Sequence, residues 1–302
     1  MVGKTGGGRG SNQYRIRGVS NSRRGQNDDL GVKLNAPSDA GPDWAELLAE
    51  YPTFPGDYQA VPEPQWDDLC SMMGGVAAKG SERAVARYVE RESNSLYNDA
   101  KLEGFAFTEP EIVTLLSGGH VAGHTVGEEA QVAGLKQASD YMLNRVGEGT
   151  AIEPGQTISD DLHIFIGAPL GIASVAFRGN QEKQFEGPQV ALGGGERFRA
   201  LDARITPKVL EVGLERISRL EHPVVRGATW AAFATYQQFY LDGNKRTGRY
   251  VMNAVLMSHG YDAILIPENL KAQYEDALVE TYKSGDLTEH IKFLLDLYPK
   301  ED

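Results

Sequence analysis

The chain has 302 residues, 41% of them hydrophobic, and 42 acidic against 30 basic side chains give a formal net charge of −12. That length admits one large domain or two modest ones, each with a real core. No apolar run reaches the roughly 20 residues of a membrane span, and the acidic balance lacks the basic footprint of a general nucleic-acid binder. One cysteine, Cys70, excludes a disulfide framework and any cysteine-based zinc site. No charged-then-apolar leader is read, so the cytoplasm is the expected compartment.

Residues 1–40 are rich in Gly, Ser, Asn and Arg without a hydrophobic period, and they predict a disordered, mildly basic tail. Residues 41–80, with Trp44, Phe54 and Trp66 among prolines, predict an extended segment wrapping over a core. From Ser81 the pattern is helical. Ser81 is the expected cap of one helix running to Leu102, with Val85, Tyr88 and Val89 on one face. Thr108-Glu109-Pro110-Glu111 combines a capping box with a first-turn proline, and Ser117-Gly118-Gly119 ends the short helix it opens. Residues 127–146 predict a long helix with Val132, Leu135, Ala138 and Met142 inward; residues 157–166 predict another, and Thr206-Pro207 opens the next, to Leu220. His120 and His124 have the spacing of two ligands on one helix face, but they sit in a glycine-containing loop, so no metal site is expected there.

Between Gly171 and Ala200 the helical habit breaks. Val175 to Phe177 and Gln189 to Leu192 read as the two strands of a hairpin. Gly193 to Gly195 reads as a flexible hairpin end rather than a phosphate loop, for want of a strand-to-helix context. Helices are then expected over 222–239, 244–258, 268–283 and 287–297. The expected fold is all-α with one β-hairpin, with a helical region over 81–126 and a core domain over 127–302.

The run Gln238-Phe239-Tyr240-Leu241-Asp242-Gly243-Asn244-Lys245-Arg246-Thr247-Gly248-Arg249 joins two of these helices, both apolar nearly all round and therefore buried. Asp242 is suited to a divalent cation, and Gly243 lets backbone N–H groups turn inward. Asn244, Lys245, Arg246 and Arg249 surround a helix N-terminus whose dipole favours anions. A tight turn capped by Asp242 explains Asp-Gly-Asn alone. It leaves three cations at a helix N-terminus, where they oppose the dipole unless an anion is bound.

These residues resemble the signature of Fic-domain proteins: His, any, Phe, any, Asp or Glu, Gly, Asn, Gly, Arg, two variable residues, Arg. Gln238, Tyr240, Asp242, Gly243, Asn244, Lys245, Arg246 and Arg249 occupy the corresponding positions, with Gly248 inside the run. His222-Pro223-Val224 is similar to the His-Pro-Ile that opens the preceding helix in many members. Phe177-Arg178 and the stretch from Gln189 to Gly194 fall where the family places a target-docking flap. The resemblance implies a nucleoside triphosphate, ATP, as substrate and AMP moved onto a hydroxyl of a target protein docked on that flap. It also implies Mg²⁺ on Asp242, an anion hole at Gly243 and Asn244, and Arg246 and Arg249 on the terminal phosphates. Neither a membrane nor a nucleic-acid partner is expected; homodimers are common in the family.

Two positions depart from the pattern. The family's histidine is its general base, and Gln238 has no basic site, a loss that typically costs about 10²–10⁴-fold. Lys245 replaces the second glycine, as in the related Doc toxins, which behave as protein kinases. Upstream, Asp99-Ala100-Lys101-Leu102-Glu103-Gly104 resembles the family's inhibitory helix at Glu103 and Gly104, with Asp99 in place of the hydroxyl residue. That implies Glu103 pairing with Arg249 and an N-terminally inhibited class. Three functions stay open: an AMP transferase weakened by Gln238, a non-catalytic nucleotide-binding or regulatory protein, and a Doc-like kinase.

Overall fold

The computed structural model describes residues 63–171, 175–180 and 187–299. The tail expected over 1–40 lies outside them. Among the described residues there are eleven α-helices and one two-stranded antiparallel sheet, and no helix is long and apolar enough to cross a membrane.

Helix α1 (Glu63–Met72) falls within the segment expected to be extended, and it buries Leu69 in the core. The single helix expected over 81–102 is two: α2 (Ser81–Glu90) and α3 (Glu92–Leu102). Arg91 N donates to Tyr88 O, three residues back, and breaks the ladder without any proline or glycine. Gly80, not Ser81, precedes the first turn of α2. Helices α4 (Glu109–Leu116) and α5 (Val126–Gly147) start as their sequences dictate. Glu111 Oε2 accepts from Thr108 N at 2.7 Å, and Thr125 exchanges both capping-box bonds with Glu128. Helix α6 (Gln156–Gly167) follows.

The hairpin pairs β1 (Gln189–Gly193) with β2 (Glu196–Arg199), in register Gln189 with Arg199 and Val190 with Phe198. Val175 to Phe177 forms no strand: Phe177 is core and Arg178 is fully buried beside it. The three glycines carry the turn, Gly193, Gly194 and Gly195 all having positive φ. Then come α7 (Thr206–Ile217), α8 (Pro223–Gln237), α9 (Asn244–Ser258), α10 (Lys271–Ser284) and α11 (Thr288–Asp296).

One hydrophobic cluster links α1 through α11, so the described residues of the expected N-terminal region and core domain share a single core. Its centre is the α8–α9 pair. Their axes approach closely because of two glycines: a Cβ on Gly227 would lie 2.5 Å from Leu256 Cδ1, and one on Gly248 would lie 3.2 Å from Ala231 O. That packing fixes the turn between the two helices, which carries the motif.

Candidate active site

Helix α8 ends at Gln238, at φ 53° and ψ 59°, the one non-glycine described residue with positive φ. A left-handed cap without glycine costs about 1–2 kcal/mol, and here side-chain bonds offset it. Gln238 Nε2 donates to Thr235 O at 2.6 Å and to Tyr282 Oη at 3.0 Å, while Oε1 accepts from Asn244 Nδ2 at 3.0 Å. Both amide hydrogens are therefore engaged. The buried Arg178 completes the cap, its Nη1 donating to Gln238 O at 2.6 Å and its Nη2 to Leu201 O. A guanidinium on the last carbonyls of a helix satisfies both their hydrogen bonds and the dipole.

Asn244 is the loop's internal brace. Its Oδ1 accepts from Tyr240 N at 2.8 Å and its Nδ2 donates to Tyr240 O at 2.9 Å. Its side chain is thus committed to the turn, and what faces an anion is the N-terminal backbone of α9. Gly243, at φ 76°, has His163 and Ile166 each 3.1 Å from where a Cβ would stand, so no larger residue fits. His163 is buried, stacks on Tyr240 at 3.6 Å between centroids and contacts Thr247 Oγ1 at 2.7 Å, so it serves the loop's packing. The Asp242 side chain is largely exposed; its Oδ1 accepts from Gly243 N at 2.6 Å. Among the described residues no three His, Cys, Asp or Glu side chains cluster as a ready-made metal site. A lone exposed carboxylate beside a phosphate-sized cradle suits Mg²⁺, which takes one or two protein carboxylates and completes its shell with phosphates and water.

The two arginines are buried and already partnered. Arg249 Nε donates to Asp99 Oδ1 at 2.9 Å, and its Nη2 lies 2.8 Å from the same oxygen and 3.4 Å from Glu103 Oε1. Arg246 Nη1 donates to Gln131 Oε1 at 3.0 Å, and its Nε lies 3.5 Å from Glu103 Oε2. Burial would raise the Glu103 carboxyl, but Arg246, Lys245 and Arg249 together outweigh it and hold it below the usual range. Burial dominates at Asp99, whose carboxyl is pushed up against the pull of Arg249. Burial would lower Arg249, yet Asp99 and its other neighbours overcome that and raise it, so the guanidinium stays charged.

A cavity of about 660 Å³ opens over the turn. Its floor is the motif loop with Lys245, its roof the hairpin at 188–193, and one wall the α10 residues Glu275, Leu278, Val279 and Tyr282. Glu103 lines it; Arg246 and Arg249 do not. Lys245 is its one cation among the described residues. The structure thus gathers Gln238, Asp242, Gly243, Asn244, Lys245 and Glu103 around one space and keeps the two arginines behind Glu103. Gly248 faces Ala231 and Thr235 of α8, where a Cβ would stand 3.2 Å from Ala231 O. Gln131 and Tyr282 are additions that carry no sequence signal; Asp99 and Arg178 stand in segments of the family resemblance, which did not assign them these contacts. The i, i+4 spacing of Asp99 and Glu103 is compatible with both reaching one face.

The described residues thus form a helical domain with a hairpin over a cavity that opens at the N-terminus of α9. No family profile matches the chain. In sequence it is similar to the protein adenylyltransferase Fic of Drosophila erecta, 26% identical over 271 residues, covering 86% of this chain and 51% of that protein. The Drosophila melanogaster protein of the same name is 24% identical over 270 residues, with the same coverage. The chain spans about half the length of the curated relatives it matches. In fold it is similar to Fic-1 of C. elegans, at TM-score 0.55 and 18% identity over 77% of this chain and 67% of that one. A Fic family protein of Desulfovibrio desulfuricans aligns at TM-score 0.53 and 17% identity, over 78% of this chain and 71% of that one. In sequence and in fold alike, then, the proteins this chain is similar to are Fic proteins.

Proposed function

We propose that this protein is a nucleotide-dependent transferase that moves AMP from ATP onto a hydroxyl of a partner protein, slowly and under restraint. The observation that carries this is the glycine turn at the buried N-terminus of α9, facing a hairpin-roofed cavity with Asp242 and Lys245 in its floor. Backbone N–H groups of the first turn of α9 would hold phosphate oxygens. Lys245 would add a point charge, and Arg246 and Arg249 would join them once freed from Asp99 and Glu103. Asp242 would hold Mg²⁺, which supplies charge neutralisation between phosphates. The partner would dock its acceptor segment along the flap from Gln189 to Gly194, whose β1 edge roofs the cavity.

In the transfer the acceptor oxygen bonds to the α-phosphorus as the bond to the pyrophosphate oxygen breaks. The acceptor's proton must leave to solvent. Gln238 has no basic atom, and its amide nitrogen is turned away to Thr235 and Tyr282. Those same bonds favour a second reading, a nucleotide-holding protein without transfer, because they make Gln238 a brace rather than a proton acceptor.

The experiment is incubation with Mg²⁺ and ATP labelled separately at the α- and γ-phosphates, in the presence of cell lysate, read by intact mass and autoradiography. Label from the α-phosphate is expected. Label from the γ-phosphate alone would replace the proposal with a kinase, and ATP binding without label would replace it with the nucleotide-holding reading. Gln238→His is expected to speed the labelling by about 10²–10⁴-fold.

A further inference from the structure

The segment between α9 and α10 carries a surface that the site over α9 does not use. Residues 261–267 belong to no helix and pair with no strand, yet their burial alternates: Asp262, Ile264 and Ile266 are buried, while Ala263, Leu265 and Pro267 are half-buried. That period of two is a strand's. One edge of the segment is closed. Asn253 of α9 accepts from Ile264 N at 2.9 Å and donates to Ile264 O at 3.0 Å, as a residue of a neighbouring strand would, and Tyr298 Oη accepts from Asp262 N at 3.3 Å. In an extended chain the N–H and C=O groups of the residues in between point to the opposite edge. Among the described residues, the backbone groups of Ala263 and Leu265 make no hydrogen bond. Both residues line a second cavity, of about 670 Å³, which shares no lining residue with the one over α9. An open edge of this kind is a template for strand pairing. Pro267, without an N–H, ends it after two rungs.

The charges around this cavity select what fits it. Arg87 is spent on Asp262 at 2.7 Å. That leaves Arg91 against Glu90, Glu109 and Glu268, all four exposed, so the rim is acidic. Tyr97 donates to Glu268 Oε2 at 2.7 Å and leaves its charge in place. Leu265 and Leu297 supply apolar surface between these groups. We propose that this cavity docks an extended segment of another protein, added as a strand on the edge at Ala263 and Leu265. The segment carries apolar side chains opposite those two residues and lysine or arginine at its ends. Main-chain bonds to Ala263 and Leu265 hold it, and the acidic rim favours basic ends and repels acidic ones. Neither the edge nor the rim includes a residue of the cavity over α9, so the proposal stands whatever that cavity binds.

The test uses the full chain and three peptides with acetylated and amidated ends. The first is Lys-Lys-Val-Thr-Val-Lys-Lys. The second carries glutamate in place of every lysine. The third is the first with an N-methyl group on both valines, which keeps charge and side chains and removes two strand donors. Binding is read by calorimetry, and exchange of the Ala263 and Leu265 amide hydrogens by ¹⁵N NMR. At saturation the lysine peptide is expected to slow both amides at least about tenfold. The N-methylated peptide should bind at least about tenfold more weakly, and so should the glutamate peptide. Glu90→Gln together with Glu109→Gln, at two exposed positions, should weaken the lysine peptide about threefold. The proposal is overturned if the N-methylated peptide binds equally well, which would leave charge attraction alone, or if the protected amides lie elsewhere. Slow exchange of both amides without peptide also overturns it. Protection that grows with protein concentration would put a second copy of this chain on the edge, and protection independent of concentration would mean that the chain fills its own edge.

Discussion

Two charge clusters in this molecule are mirror images. At the site, one arginine, Arg249, lies between two carboxylates, Asp99 and Glu103, and all three are nearly out of reach of water. Some residues away, one carboxylate, Asp262, lies between two arginines, Arg83 at 3.1 Å and Arg87 at 2.7 Å, whose side chains remain more than a third exposed. The bond lengths are alike; the solvent is not. At the rim Asp262 is itself buried, but water and salt reach both arginine heads, screen the pairs and can replace either arginine. In the interior no such replacement exists, and each charge depends on the others. A buried cluster that is costly to break and stands beside a cavity is suited to hold a resting state; an exposed one only pins helix α2 to the segment after α9.

The largest expected effect comes from removing the centre of the buried cluster. Arg249→Met leaves Asp99 without its cation and Glu103 with Arg246 alone at 3.5 Å, and should cost about 3–5 kcal/mol of stability, measured by urea unfolding at neutral pH. A loss under about 1 kcal/mol would mean that water already enters this cluster and that the contrast with the rim is false.

Next is acid sensitivity. His290 is buried against Tyr274, its Nδ1 makes no hydrogen bond, and burial with help from Arg249 lowers its pKa to about 3. The groups around it are Tyr274 and Arg249 from α10 and α9, both neutral or cationic in this range. The unfolded chain binds this proton below about 6.5 and the folded one does not until about 3. Stability present above the higher value is therefore lost on acidification through that window, by up to about 1.4 kcal/mol per pH unit. His290→Phe should flatten the unfolding free energy between pH 6 and pH 4 relative to the parent chain. Equal slopes would place His290 in contact with water.

The brace at the end of α8 should give an intermediate effect. Gln238→Ala removes the bonds to Thr235, Tyr282 and Asn244 at a left-handed position and is expected to cost about 1–3 kcal/mol, and amide exchange in residues 240–246 should quicken with it. The smallest effect belongs to the rim. Arg83→Ala leaves Arg87 on Asp262 and should cost no more than about 1 kcal/mol, shrinking further in high salt. A larger, salt-independent loss would show that the exposed cluster is as interdependent as the buried one.

The helices that could be read directly are those whose ends carry their own chemistry. Thr108 and Thr125 with their glutamates, Thr206-Pro207, and the Asp242-Gly243-Asn244 turn each satisfy helix-end hydrogen bonds locally, so neighbours in sequence settle them. The break at Arg91 has no such local signal. Tyr88 before it and Leu96 after it are both core residues. The hairpin was placed half correctly, because a strand's partner is chosen by pairing: Gln189 to Leu192 was legible, while Val175 to Phe177 has strand-like residues that the core claims instead.

The same division runs through the site. Sequence alone determined the residue types of the motif, the turn that presents them, and the absence of a basic atom at position 238. The resemblance to the family's inhibitory helix pointed to Glu103, with Asp99 in place of the hydroxyl residue. Only the tertiary structure decided that Arg178 caps the end of α8, that Tyr282 and Asn244 hold the Gln238 amide, and that Arg249 rests on Asp99 more closely than on Glu103. Those contacts join residues far apart in the chain, and long-range pairings between buried polar groups are fixed by packing and desolvation, which no local pattern of residues encodes.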